Sequence, residues 1–143
     1  MKGRIVLLSL LLISLFALNG NAQINKSLGN IGDLTKLGLP EDKEQFSKDF
    51  LDALTPDSDL GLGADGLEKL NGKNKSFVDD VVGILGGGGS NDDMLEKIGL
   101  KKKEKDDFIQ KLLGDGNAGK YYSSIKKKVD SFKTKYKVAK MFM

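Results

Sequence analysis

The sequence predicts an all-α protein: a small compact bundle of five to seven short helices, ending in a longer basic amphipathic helix. Three observations carry that expectation. Apolar residues recur at helical spacing in several separate segments, no window alternates as a half-buried strand does, and Gly or Pro stands at most segment ends.

The first 22 residues have a different organisation. Lys2 and Arg4 form a short positive region, and residues 5 to 18 are apolar except for Ser9 and Ser14. Gly20 and Ala22 then place small residues before Gln23. That is the layout of a cleaved secretory signal peptide, with an apolar run shorter than the roughly 20 residues a bilayer span needs. The expectation is export to the periplasm or beyond, from a bacterial cell, with no transmembrane segment left after cleavage. Residues 23 to 143 then form one small helical domain.

Within that domain, PEDKEQFSKDFLDALTP (40 to 56) sets Phe46, Phe50, Leu51 and Leu54 on one helical face. Pro40 suits a first helical position and Pro56 forces an end. KSFVDDVVGILGG repeats the pattern with Phe77, Val78, Val81, Val82 and Leu85, with Ser76 and Asp79 resembling a capping box. KKKEKDDFIQKLLG does so again with Phe108, Ile109, Leu112 and Leu113, and Gly114 stands where a helix-ending residue belongs. Each segment is preceded by a similar phrase: LTKLGL (34 to 39), LEKLNG (67 to 72) and LEKIGL (95 to 100). Asp65 with Glu68, and Ser90 with Asp93, would cap the second and third. These phrases read as short helical turns stopped by glycine, and their spacing suits a divergent helical-pair repeat. A leucine- and lysine-rich helical chain also produces such phrases without any repeat. Residues 86 to 90, GGGGS, form a flexible joint. From about 119 to 141 the apolar residues Tyr122, Ile125, Val129, Phe132, Tyr136 and Ala139, followed by Met143, keep a 3,4 spacing inside a coat of lysine.

Composition excludes whole classes of chemistry. Without histidine or cysteine there is no Ser-His-Asp or Cys-His nucleophile, no imidazole or thiolate zinc site and no disulfide. Charge is unevenly distributed. Residues 23 to 119 carry 13 lysines against 19 acids, a net of −6, whereas residues 120 to 143 carry 8 lysines against Asp130 alone, a net of +7.

Four patterns invite a site. LLGDGNAGKYY (112 to 122) satisfies both G-x-G-x-x-G and G-x-x-x-x-G-K. It follows a helical segment rather than a strand, and Tyr121 stands where a magnesium-binding Ser or Thr belongs, so it reads as a helix end and a turn. Residues 57 to 68 put Asp57, Asp59, Asp65 and Glu68 at four ligand positions of a calcium loop, but Gly61 and Leu62 occupy the fifth and sixth, where a ligand and a glycine are needed. This is an incomplete calcium loop, and no metal or cofactor is assigned. The pairs Asp79-Asp80, Asp92-Asp93 and Asp106-Asp107 suit helix starts better than acid–base catalysis. The fourth pattern is the basic helix, whose Lys120, Lys126, Lys127, Lys128, Lys133, Lys135, Lys137 and Lys140 could meet an anionic surface. Its lack of arginine disfavours sequence-specific nucleic-acid readout. The competing expectation is that its apolar stripe packs on the acidic body.

The leading functional expectation is an exported, non-catalytic helical protein acting by protein–protein contact, by self-association or as a structural envelope component. The alternative is a peripheral binder of acidic lipid, polysaccharide or nucleic acid through the basic helix.

Overall fold

The computed structural model describes residues 40–57 and 60–143. They form α1 (Lys43–Leu54), α2 (Ala64–Gly86), α3 (Asn91–Lys135) and a closing 3-10 helix, η1 (Lys137–Met141). The chain is all-helical among the described residues, and these all belong to one unit, Asp33–Met143. The expected five to seven short helices are replaced there by three α-helices, two of them long. The LTKLGL phrase and residues 23 to 33 lie outside the described residues.

Two of the expected short turns are absorbed into longer helices. In α2, LEKLNG runs straight on into KSFVDD, so Gly72 does not stop the helix and Ser76 caps nothing. The helix starts instead at Gly63, with no side-chain cap from Asp65 or Glu68. An exposed helical glycine costs about 1 kcal/mol relative to alanine. Burying Leu70, Asn74, Phe77 and Val81 along one face outweighs that. In α3 the same holds for Gly99, between the buried Ile98 and Lys105. The cap expected at Ser90 is present, its hydroxyl accepting from the Asp93 amide at 3.2 Å. At α1 the cap is Asp42, accepting from the Gln45 amide at 2.9 Å, so Pro40 precedes the helix rather than opening it. Pro56 follows the end of α1 as expected.

Helix α3 is bent at one residue. Gly114 has φ 72° and ψ 169°, the only non-helical dihedrals between Asn91 and Lys135. Asp106 and Tyr122 would stand about 24 Å apart on a straight helix. Instead the Tyr122 hydroxyl donates to Asp106 Oδ1 at 2.7 Å. The two arms of α3 therefore fold back toward one another, and the Gln110 amide donates to Asp115 across the bend. The turn is thus one residue wide: Gly116 and Gly119 are helical.

The core gathers around α1. Phe50 stacks on Phe132 of the C-terminal arm, with centroids 4.7 Å apart and planes at 15°. It also meets the edge of Phe77 from α2 at 5.7 Å and Phe142, beyond η1, at 5.9 Å. The helix expected to reach 141 ends at Lys135, because Tyr136 turns the chain (φ −116°, ψ 98°) and lets Val138, Ala139, Met141 and Phe142 return to the core. The stripe is also shifted at its start. Tyr121 is fully buried, whereas Tyr122 keeps 36% of its surface exposed.

The carbonyl end of α1 is finished by the other two helices. Leu54 O accepts from Asn74 Nδ2 at 3.0 Å and from the Tyr121 hydroxyl at 2.9 Å. Asn74 Oδ1 lies 3.3 Å from the same hydroxyl. Lys128 Nζ donates to Thr55 O at 3.1 Å. Asn74 and Tyr121 are wholly inaccessible, so these bonds form where water cannot replace them.

Tyr121→Phe is expected to cost about 1–2 kcal/mol in urea unfolding, since one hydroxyl proton is shared between Leu54 O and Asn74 Oδ1, and its loss leaves the first with Asn74 alone and the second without a donor. Adding Asn74→Ala should cost less than the sum of the two single changes, which a double-mutant cycle reads directly. The glycines of residues 114 to 119 should respond with opposite signs. Gly114→Ala is strained by about 1–3 kcal/mol at a backbone conformation almost confined to glycine. Gly116→Ala and Gly119→Ala, helical and with open space around an added Cβ, should each stabilise by up to about 1 kcal/mol.

Candidate functional site

The eight lysines of the basic segment separate into two populations once the chain is folded. Those whose positions turn toward α1 are paired. Lys128 reaches Asp57 at 2.6 Å and Asp52 at 3.9 Å, and Lys135 reaches Asp49 at 2.5 Å. Both are placed by the apolar stripe: Ile125 and Phe132 dock inward, which carries Lys128 and Lys135 to the acidic flank of α1. Lys128 also supplies positive charge at the carbonyl end of α1, whose own last turn has no basic residue.

The outward lysines differ. Lys126 makes only a long pair with Asp130, at 3.7 Å along its own helix. Lys120, Lys127, Lys133, Lys137 and Lys140 make no ion pair among the described residues. The outer face of this arm forms a shallow groove of about 710 Å³, lined by Ser123, Lys126, Lys127, Asp130, Ser131, Thr134 and Lys135. The apolar residues that would accompany the lysines into a membrane are not on this face. Tyr121, Phe132 and Phe142 are buried in the core.

Asp49 carries the most displaced accessible carboxylate. The Lys135 ammonium and then the Tyr136 hydroxyl, which donates at 2.6 Å, pull its pKa down to about 2. In return, hydrogen bonding to Asp49 raises Lys135.

A second polar cluster was not evident in the sequence. Lys105 is a buried ammonium on the N-terminal arm of α3, 5.4 Å from the Phe77 ring centre and 5.6 Å from that of Tyr122. It donates to Asp106 Oδ1 at 2.8 Å, while Lys102 reaches Asp106 Oδ2 at 3.0 Å. Burial pushes the Lys105 pKa down, against the pull of Asp106. For Asp106, burial acts upward, but Lys105, Lys102 and the Tyr122 hydroxyl together hold it below the usual carboxylate range. Burial and the bond to Asp106 push Tyr122 well up. The cluster joins α2 to both arms of α3, and the buried ammonium faces aromatic rings and a carboxylate. Asp106 and Asp107 therefore lie deep inside a helix rather than at its start, as do Asp79 and Asp80 in α2. Asp92 and Asp93 do occupy a first turn. Lys105 stands seven residues after Ile98 and four before Ile109, in line with the buried face, but as a lysine within a lysine run it interrupts the apolar pattern that would have marked it.

Of the incomplete calcium loop, Asp59 lies outside the described residues. Asp57 is paired with Lys128, and Asp65 and Glu68 are exposed in the first turns of α2. Among the described residues no three metal-capable side chains converge, and no helix is long and apolar enough to cross a membrane. The glycine motif at 112 to 122 forms the bend of α3, between two helical arms. Comparison with protein-family models, curated proteins and solved structures finds no match.

The displaced carboxylates make stability acid-sensitive in a defined direction. Asp49 titrates lower in the folded chain than its usual 3.8, so its contribution is complete above about pH 4 and is lost as pH falls through about 2. Asp106 acts with the same sign. Thermal unfolding followed from pH 5 to 2 should show a falling midpoint in the native chain and a shallower fall in Asp49→Asn. Equal slopes would remove Asp49 from the acid limb.

Proposed function

We propose that this chain is an exported, non-catalytic helical module that acts by contact, with the outer face of the C-terminal arm of α3 meeting an anionic partner. One observation carries the reading. Packing takes up the apolar stripe and two inward lysines, yet leaves Lys120 and Lys127 exposed and Lys133 half-exposed on the arm, with Lys137 and Lys140 exposed in η1, all without carboxylate partners among the described residues. A charge excess held on a rigid, fully packed helix is preorganised for an acidic partner, since little ordering remains to oppose binding.

The non-catalytic part rests on where the unusual polar groups lie. Tyr121, Asn74 and Lys105 are sealed in the core, and their polar atoms are engaged with Leu54 O, with each other or with Asp106. They serve as fasteners between helices. With Tyr121, Phe132 and Phe142 also inside, and the part-exposed Tyr122 held by its hydroxyl to Asp106, attachment to the partner is electrostatic rather than insertional.

Reversing three of these positions, Lys120→Glu, Lys127→Glu and Lys133→Glu together, should leave the helical circular-dichroism signal intact. Affinity for an anionic matrix should fall by about tenfold or more, and retention by the native chain should decline steeply with salt. Retention that ignores both salt and the charge reversal would sink the proposal.

A further inference from the structure

The pattern of side chains along the outer face of the arm carries more than a sign of charge. At about 100° per residue, Lys120 and Lys127 form one row on the helix, and Lys126 and Lys133 form another. Between the rows run Ser123, Asp130 and Thr134, all exposed. The strip from Lys120 to Lys133 is about 20 Å long. Its floor is therefore a hydroxyl, a carboxylate and a second hydroxyl, flanked on both sides by ammonium groups.

That floor is poorly suited to a phosphodiester chain or a bilayer surface. Both present dense negative charge, and Asp130, the only acid after Asp115, lies between the two lysine rows. Its pairing with Lys126 at 3.7 Å on an exposed surface cancels little of that repulsion. Arginine, whose planar fork matches phosphate, is absent from the arm. An exposed carboxylate beside two hydroxyls is instead a set of acceptors for ligand hydroxyl groups, and the lysine rows accept intermittent negative charge. Thr134 donates its own proton to Asp130 O at 2.9 Å, which leaves its oxygen free to accept.

The geometry points to an acidic polysaccharide, a chain bearing hydroxyls between spaced anionic groups, as the partner of this strip. The inference rests on the reading of the lysine face as a contact surface and names its ligand class. The sugar's anionic groups lie against Lys120, Lys127, Lys126 and Lys133, while its hydroxyls donate to Asp130 and Thr134 and accept from, or donate to, Ser123.

Asp130→Ala separates this partner from other polyanions, because the two cases predict opposite signs. The chain from Gln23 to Met143 is titrated with a hyaluronan oligosaccharide, in which every second sugar is anionic, with single-stranded DNA and with phosphatidylserine vesicles. Losing Asp130 raises the positive charge, so purely electrostatic binding to DNA and vesicles should tighten. Hyaluronan binding should weaken by roughly three- to tenfold, the loss of a hydrogen bond to a charged acceptor. Ser123→Ala should weaken hyaluronan binding alone. If Asp130→Ala tightens hyaluronan together with DNA or vesicles, the polysaccharide assignment is overturned and the contact-surface reading survives. If the native chain binds none of the three at low salt, both fall.

Discussion

The carbonyl of Leu54 ends a helix inside the protein, away from water, and the structure is arranged around satisfying it. A helix end leaves backbone carbonyls without intrahelical donors, and burying one unpaired costs on the order of a hydrogen bond's desolvation. Here the donors are Asn74 from α2 and Tyr121 from the C-terminal arm of α3, with Lys128 serving the adjacent Thr55 carbonyl. These bonds fix the axial position of three helices relative to one another. Apolar packing alone would tolerate sliding, because one phenylalanine contact resembles the next. A hydrogen bond with a single acceptor does not.

Around that anchor, the aromatic cluster supplies the bulk of the burial and decides where the chain stops being helical. Phe50 touches rings from α2, α3 and the segment after η1. Tyr136 interrupts the last helix, where its ring packs on the edge of Phe46 at 4.9 Å and its hydroxyl reaches Asp49. Without that turn, the final apolar residues would be carried into solvent. The same packing sorts the lysines. Turning the stripe inward delivers Lys128 and Lys135 to acids of α1 and leaves the opposite face charged.

Helical class, the positions of Ser90, Pro56 and the glycine joint, and the apolar faces of α1 and α2 could all be read from local pattern. So could the helical setting of the glycine motif, because the residues before it have helical spacing. The number of helices could not. Gly72, Gly99 and Gly114 are chemically identical in the sequence, yet the first two sit within helices and the third bends one through a positive φ. A glycine's cost of about 1 kcal/mol is small beside the burial on either side of it, so neighbours in space decide whether it ends a helix. The lysine face was legible as composition, but its division into paired and unpaired residues was not.

By itself, the sequence determined what is periodic and what is locally chemical: an all-helical chain, an acidic body, a basic final segment and caps that depend on residues three apart. Only the tertiary structure decided which tyrosine of Tyr121 and Tyr122 enters the core, that Lys105 is buried between aromatic rings, and that α3 doubles back at Gly114. These outcomes depend on contacts between residues as far apart as Leu54 and Tyr121. No local window contains both ends of such a contact, and the energies that choose between adjacent residues reside there.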